Sequence, residues 1–289
     1  MDNVNILIQG GLLGGLYALF AIGLSLSFGI MRLVNIAHGD LIVLAAYVGL
    51  IAVGAGMPAL WTLVVVIPVM FVLGYALQRG LLNFTLSGGL LPPLLVTFGI
   101  SIIIENALLE AFGPQTYRLQ AGAIETQSVQ LGGGIAVGVY PLLVFATAIV
   151  GIAALQLLFY RTRLGRAFRA VSDDAGTAEL MCIDNQHLYA LAMAIAMIFT
   201  ALAGILMAIR TTFDPAAGPI RLIFAFEAVI IGGLGSLWGT LVGGIILGVA
   251  QAIGAEIDPA YSILAGHIVF LAVLAFRQGG IFAVQEARA

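Results

Sequence analysis

The chain has 289 residues, of which 62% are hydrophobic and 9% charged, with 11 basic against 14 acidic groups, a net charge of −3 and a mean hydropathy of +1.13. Soluble domains charge about a quarter of their residues, so this composition excludes a soluble enzyme or a nucleic-acid-binding module and describes an integral membrane protein. The lone Cys182 cannot form an internal disulfide, no His/Cys cluster has metal-ligand spacing, and the acidic start MDNVN followed by a long apolar run is not a cleavable signal.

Runs long enough for a hydrocarbon core of roughly 30 Å, which takes about 20 apolar residues, recur along nearly the whole chain. In order, the expected spans are Ile6–Ile30, Leu41–Ala55, Leu60–Leu77, Leu91–Phe112, Ile135–Tyr160, Leu188–Ile209, a composite Leu222–Ile253, and Ile263–Phe276. They predict an all-α polytopic bundle of about eight spans in a single domain, residues 1–289, including interrupted or re-entrant segments. Every basic residue is Arg, and Arg161, Arg163, Arg166 and Arg169 crowd the longest polar connection, which the positive-inside rule assigns to the cytoplasm. Counting outward from that anchor puts Arg32, Arg79, Arg277 and Arg288 inside, leaves Arg118, Arg210 and Arg221 outside, and requires Leu222–Ile253 to cross an even number of times.

Between the first two spans stands VNIAHGD, Val34 to Asp40. One reading is an interfacial turn in which Asn35 and Asp40 cap helix ends and His38 sits in headgroup water. The other is a helix broken inside the bilayer, its half-helix ends facing a permeation route. The composite span reads IGGLGSLWGTLVGG in its middle, where glycines cost about 1 kcal/mol each in a helix interior. A hairpin turning near Gly235-Ser236 fits its length and the charge count, and close helix packing is the simpler account of the same glycines. With one interrupted segment in each half, an internal repeat is compatible with the pattern.

The segment 161–187, read from RTRLGRAFRAVSDDAGTAELMCIDNQ, is the most informative polar stretch. Phe168, Val171, Ala175, Ala178 and Cys182 recur at spacings of three and four, which predicts one apolar face on a helix or on two short helices bent at Gly176. Arg166, Arg169 and Asp173 lie off that face. A basic helix resting on membrane lipid is one reading. Acidic Asp173, Asp174 and Glu179 interleave with the arginines, and this mixed charge favours a docking surface for a cytoplasmic protein.

GRAFRAVSDDAGTAELMCID resembles the coupling-helix motif of ABC-importer permeases. The N-terminal GLLGGLYALFAIGLSLSFGIMRLVNIAHGDLIVLAAYVG, with GGLGSLWGTLVGGIILG and FRQGGIF near the C-terminus, resembles branched-chain amino-acid permeases of the LivH type over essentially the whole chain. The family usually has Gly where Cys182 stands. The resemblance implies a non-enzymatic transmembrane subunit of the bacterial inner membrane, in accord with the absence of a G-x-x-x-x-G-K-[ST] loop. It implies a second permease subunit, often a longer paralogue, two cytoplasmic ABC ATPase subunits that hold ATP and Mg, and a periplasmic solute-binding protein. It also implies that residues 166–184 dock on the ATPase, with Phe168 and Val171 as apolar contacts and Arg166, Arg169, Asp173, Asp174 and Glu179 setting orientation.

Polar groups within spans are costly in lipid, so Glu105, Asn106, Gln156, Glu227, Gln251 and His267 are expected to face protein or water. Of these and the first break, Asn35, His38 and Glu227 are taken to line or gate the route. The substrate is barely written in the chain: branched-chain amino acids, related amino acids, urea and short amides all remain open. An ion-coupled carrier using Glu105 and Glu227, or a passive channel lined by the glycine-rich breaks, is the rival reading. Externally, Thr116 to Gly134 is read as a strand-like surface loop or as a contact for the binding protein, with Arg118, Arg210 and Arg221 beside it.

Overall fold

A computed structural model describes residues 2–89, 91–132 and 135–282; Arg288, Gly133 and Gly134 lie outside them. The chain is almost entirely helical: α1 (Asp2–Met31), α2 (His38–Gly54), α3 (Leu63–Gly80), α4 (Leu91–Phe112), α5 (Val139–Arg161), α6 (Arg163–Asp173), α7 (Ala175–Leu180), α8 (Asn185–Arg210), α9 (Gly218–Gly232), α10 (Leu237–Ile257) and α11 (Tyr261–Phe276). A hairpin of β1 (Ser128–Gly132) and β2 (Ile135–Gly138) stands between α4 and α5. Among the described residues, seven helical segments are long and apolar enough to cross a membrane, and α2 and α11 are shorter apolar helices. The protein is therefore a multi-pass helical membrane protein.

Two of the expected boundaries move. Ile135–Gly138 is strand rather than span, because it pairs antiparallel with Ser128–Gly132, and α5 begins only at Val139. The composite span resolves into α9 and α10, with the turn at residues 233–236, where Gly233 and Gly235 take φ of 108° and 80°, a left-handed backbone that favours glycine.

The chain divides into two compact units. One comprises Met1–Ser25, Ala121–Ile152 and Phe224–Ala289. Within it α10 packs on α11 and against the buried α1: a Cβ on Gly14 of α1 would meet Ile245 Cα and the Gly244 carbonyl, so the two backbones pass with no side chain between them. The α9–α10 turn is closed by Ser236, whose Oγ accepts from Gly239 N at 3.1 Å. The chain after α11 returns to the end of α9, where Ile281 N and Phe282 N donate to the carbonyls of Ile231 and Gly232 at 2.9 and 3.0 Å.

The other unit comprises Leu26–Gln120 and Ala153–Ile223. It is built on α8, against which α2 and α3 pack. Tyr47 of α2 is fully buried among the rings of Phe112, Tyr117 and Phe213, with centroids 4.6 to 5.8 Å away. At the start of α8, Arg79 Nη1 lies 3.6 Å from Asp184; Ser172 of α6 donates to Gly29 O of α1 at 2.6 Å. At the far end of α8, Arg118 Nε donates to Ile209 O at 3.0 Å. Arg79 and Arg118 thus sit at opposite ends of α8, as the charge reading requires.

Candidate functional site

The segment from Thr162 to Asp184 is assembled from three side-chain caps. Thr162 Oγ1 accepts from Gly165 N at 3.0 Å and starts α6. Asp174 Oδ1 accepts from Gly176 N and Thr177 N at 2.9 and 3.1 Å, and its Oδ2 takes the Thr177 hydroxyl at 2.6 Å, starting α7. Asp184 Oδ1 accepts from His187 N at 2.9 Å and starts α8. The bend therefore falls at Asp174, whose extended backbone interrupts the helix before Gly176. The Thr177 hydroxyl holds the Asp174 carboxyl below the usual carboxylate range, and the His187 amide, helped by Arg79, does the same for Asp184.

Phe168 and Val171, expected as apolar contacts for a partner, are instead buried in the chain at 0% and 2% exposure. The Phe168 ring meets that of Phe159 in a tilted contact, centroids 5.7 Å apart, beside the Gly165 backbone that presses on Leu158 and Phe159. Together with Ala178 they fasten the segment to the helices above it. Arg169 is half-buried, its guanidinium 5.0 Å from the Tyr160 ring centroid. The exposed surface includes Arg161, Arg163, Arg166, Asp173, Asp174 and Glu179, with two large apolar side chains beyond them, Leu180 and Met181, at 84% and 73% exposure. Those two escaped sequence reasoning because they fall off the three-four stripe. Ala175 is half-buried and Cys182 exposed, so the stripe does not extend to them. Cys182 has φ 59°, a left-handed turn out of the segment.

The stretch 32–37 leaves α1 and enters α2 with Asn35, His38 and Asp40 all buried, so His38 does not sit in headgroup water. The exposed amides of the break are met by side chains: Asn35 Oδ1 accepts from Ala37 N at 3.0 Å, and Thr97 Oγ1 of α4 accepts from Ile36 N at 3.2 Å. His38 N donates to Asn35 O at 3.2 Å. Asn35 therefore closes the turn before α2, whose N-cap is Ala37 with no side-chain cap, so neither Asn35 nor Asp40 is the cap expected of it. Asp40 Oδ2 instead accepts from Ser101 of α4 at 2.5 Å, and a Cβ on Gly39 would strike Gly218 O at the start of α9.

In the unit of α9 to α11, Glu227 is buried and is hydrogen-bonded through Oε1 to Nδ1 of His267 on α11. Sequence separation hid this pair. Tyr17 of α1 donates to Oε1 of the buried Gln251, and its ring lies 5.1 Å from that of Phe224, one turn before Glu227. Of the other polar groups in spans, Glu105 and Gln156 are half-buried and Asn106 is exposed, its amide donating to Ile102 O at 2.8 Å.

The site thus offers a set of apolar helices, a capped segment between α5 and α8 and a break between α1 and α2 with buried polar side chains. Among known proteins, the BraD high-affinity branched-chain amino acid transport permease of Pseudomonas aeruginosa is 29% identical over 97% of this chain and 95% of its own. The LivH permease of Escherichia coli, of the same description, is 27% identical over 96% and 94%. The fructose import permease FrcC of Rhizobium meliloti is 30% identical over 70% of this chain and 59% of its own. No solved structure matches the chain significantly. The family model described as branched-chain amino acid transport system / permease component matches residues 6–275, and the chain belongs to that family.

Proposed function

We propose that this chain moves branched-chain or closely related amino acids into the cytoplasm by alternating access, as one permease domain of an ATP-driven importer in a bacterial inner membrane. ATP and Mg are held by two cytoplasmic ABC ATPases rather than by this chain. A second permease subunit completes the pathway, and an external binding protein delivers the solute. The observation that carries the reading is the capped 161–187 segment in a chain of this family: fastened by Phe168 and Val171, it presents Leu180 and Met181 to solvent. Exposed apolar side chains rimmed by charge mark a docking surface, and here they give the ATPase its grip, with Arg166, Arg169, Asp173, Asp174 and Glu179 setting orientation.

Asn35, His38 and Glu227 are assigned to the route, because polar side chains inside spans are retained where they serve protein or water. The cargo follows from the relatives' descriptions, and the fructose permease among them makes the solute the point to measure. In a strain deleted for the chain and complemented with it, labelled leucine, isoleucine and valine should enter in competition with one another; fructose or urea entering instead would replace the cargo. Asn35→Leu and Glu227→Gln should each slow uptake by about tenfold, and wild-type rates in both would remove these residues from the route.

A further inference from the structure

Among the described residues two acidic side chains are buried within the membrane helices, Asp40 and Glu227. They are not equivalent. Glu227 has His267. Asp40, with 1% exposure, has the Ser101 hydroxyl on Oδ2 and no hydrogen-bond partner on Oδ1, and no basic side chain pairs with it among the described residues. A carboxyl in apolar surroundings is costly without a positive partner, and the partial charge at the start of α2 offsets only part of that cost.

The surroundings of Oδ1 show what is missing. It points at Gly218 in the first turn of α9, where any Cβ would overlap it. Gly39 and Gly218 let the starts of two short helices, α2 and α9, meet at backbone contact over this carboxyl. Half-helix starts of this kind carry partial positive charge that favours an anionic group, and the acidic group placed there in this chain is Asp40. One turn of α4 before Ser101, Thr97 Oγ1 accepts from Ile36 N of the 32–37 stretch. The Thr97 hydroxyl lies against the carbonyls of Pro93 and Leu94, and those two residues, with Met31, Arg32, Val34, Leu86 and others, line an apolar cavity of about 320 Å³.

We propose that Asp40 binds the ammonium group of the passing solute through Oδ1, and that the start of α9, at Gly218, is the cover that withdraws to admit it. The proposal rests on the reading of the chain as an amino-acid permease. Ser101 is then a positioning residue, holding Oδ2 so that Oδ1 faces α9. No bond is made or broken; an ammonium replaces Gly218 as the neighbour of the carboxyl.

The test is leucine uptake by the deletion strain carrying the wild-type chain, Asp40→Asn or Ser101→Ala, with co-purification of the ATPase measured alongside. Asp40→Asn keeps the shape and loses the charge. It should assemble normally, leave half-saturation, set by the binding protein, unchanged, and cut the maximal rate by about tenfold or more, the scale of one hydrogen bond to a charged group. Ser101→Ala should lower it by less than about threefold. Full uptake in Asp40→Asn overturns the proposal, as does an equal loss in both variants, which would make the carboxyl a strut between α2 and α4. Wild-type cells that import no leucine would instead remove the amino-acid reading itself.

Discussion

The two interruptions of the helical pattern solve one problem by different means. At residues 233–236 the chain turns on glycines with positive φ, and the freed backbone is met by backbone and by Ser236. At residues 32–37 side chains do the work: Asn35 and Thr97 supply the acceptors, and His38 and Asp40 are carried into the interior. Backbone away from water must be satisfied either way. A glycine turn leaves nothing chemical behind, whereas a break stabilised by polar side chains installs groups that a solute can use. That difference is why the proposed route is placed at the first break and not at the second.

The comparison breaks most readily at its tightest point. Gly218→Val forces a branched side chain onto the Asp40 carboxyl, an overpacking worth about 3 kcal/mol, whereas Gly235→Ala asks only for a left-handed alanine, about 1–2 kcal/mol. Thermal unfolding of the two purified variants should show the first clearly less stable; the reverse order would place the sensitive junction at the glycine turn. Next is Cys182, a non-glycine residue at φ 59°. Cys182→Gly should raise stability by about 1 kcal/mol, and a lower melting temperature would show that the cysteine side chain holds the turn.

The smallest effect is at Asp184. Its folded-state pKa is depressed, so its contribution is present above the unfolded value of about 3.9 and is lost as pH falls through the lower, folded value. Protection of the amides at the start of α8, taken relative to intrinsic exchange at each pH, should therefore fall in the wild type below about pH 4, and Asp184→Asn should lower it at neutral pH. Protection independent of both would mean that Arg79 and the His187 amide hold nothing there.

Apolar run length made most of the helices legible, because spans in hydrocarbon leave a plain mark. Arginine placement foretold which ends of α3 and α8 lie together. The α9–α10 turn was readable because glycine is poor in helix interiors. What failed to show was three-dimensional. Alternation at Ile135–Gly138 is short and apolar enough to pass for the start of a span. Phe168 and Val171 were found as a face, but periodicity cannot say whether a face meets the chain itself or another protein. Leu180 and Met181 become a surface only because Asp174 breaks the helix. Glu227 and His267, far apart in the sequence, carry no local sign of their pairing, nor does Asp40 of its proximity to Gly218.

The central claim is that an exposed handle couples this membrane chain to an ATPase. Its most direct test is mild-detergent purification of the tagged chain from its native membranes, with Leu180→Asp/Met181→Asp beside the wild type and every co-purifying protein identified by mass. The account predicts a nucleotide-binding ATPase and a second permease with the wild type, and loss of the ATPase alone from the double variant. A wild-type chain recovered without an ATPase, and moving solute in liposomes without ATP, would contradict it.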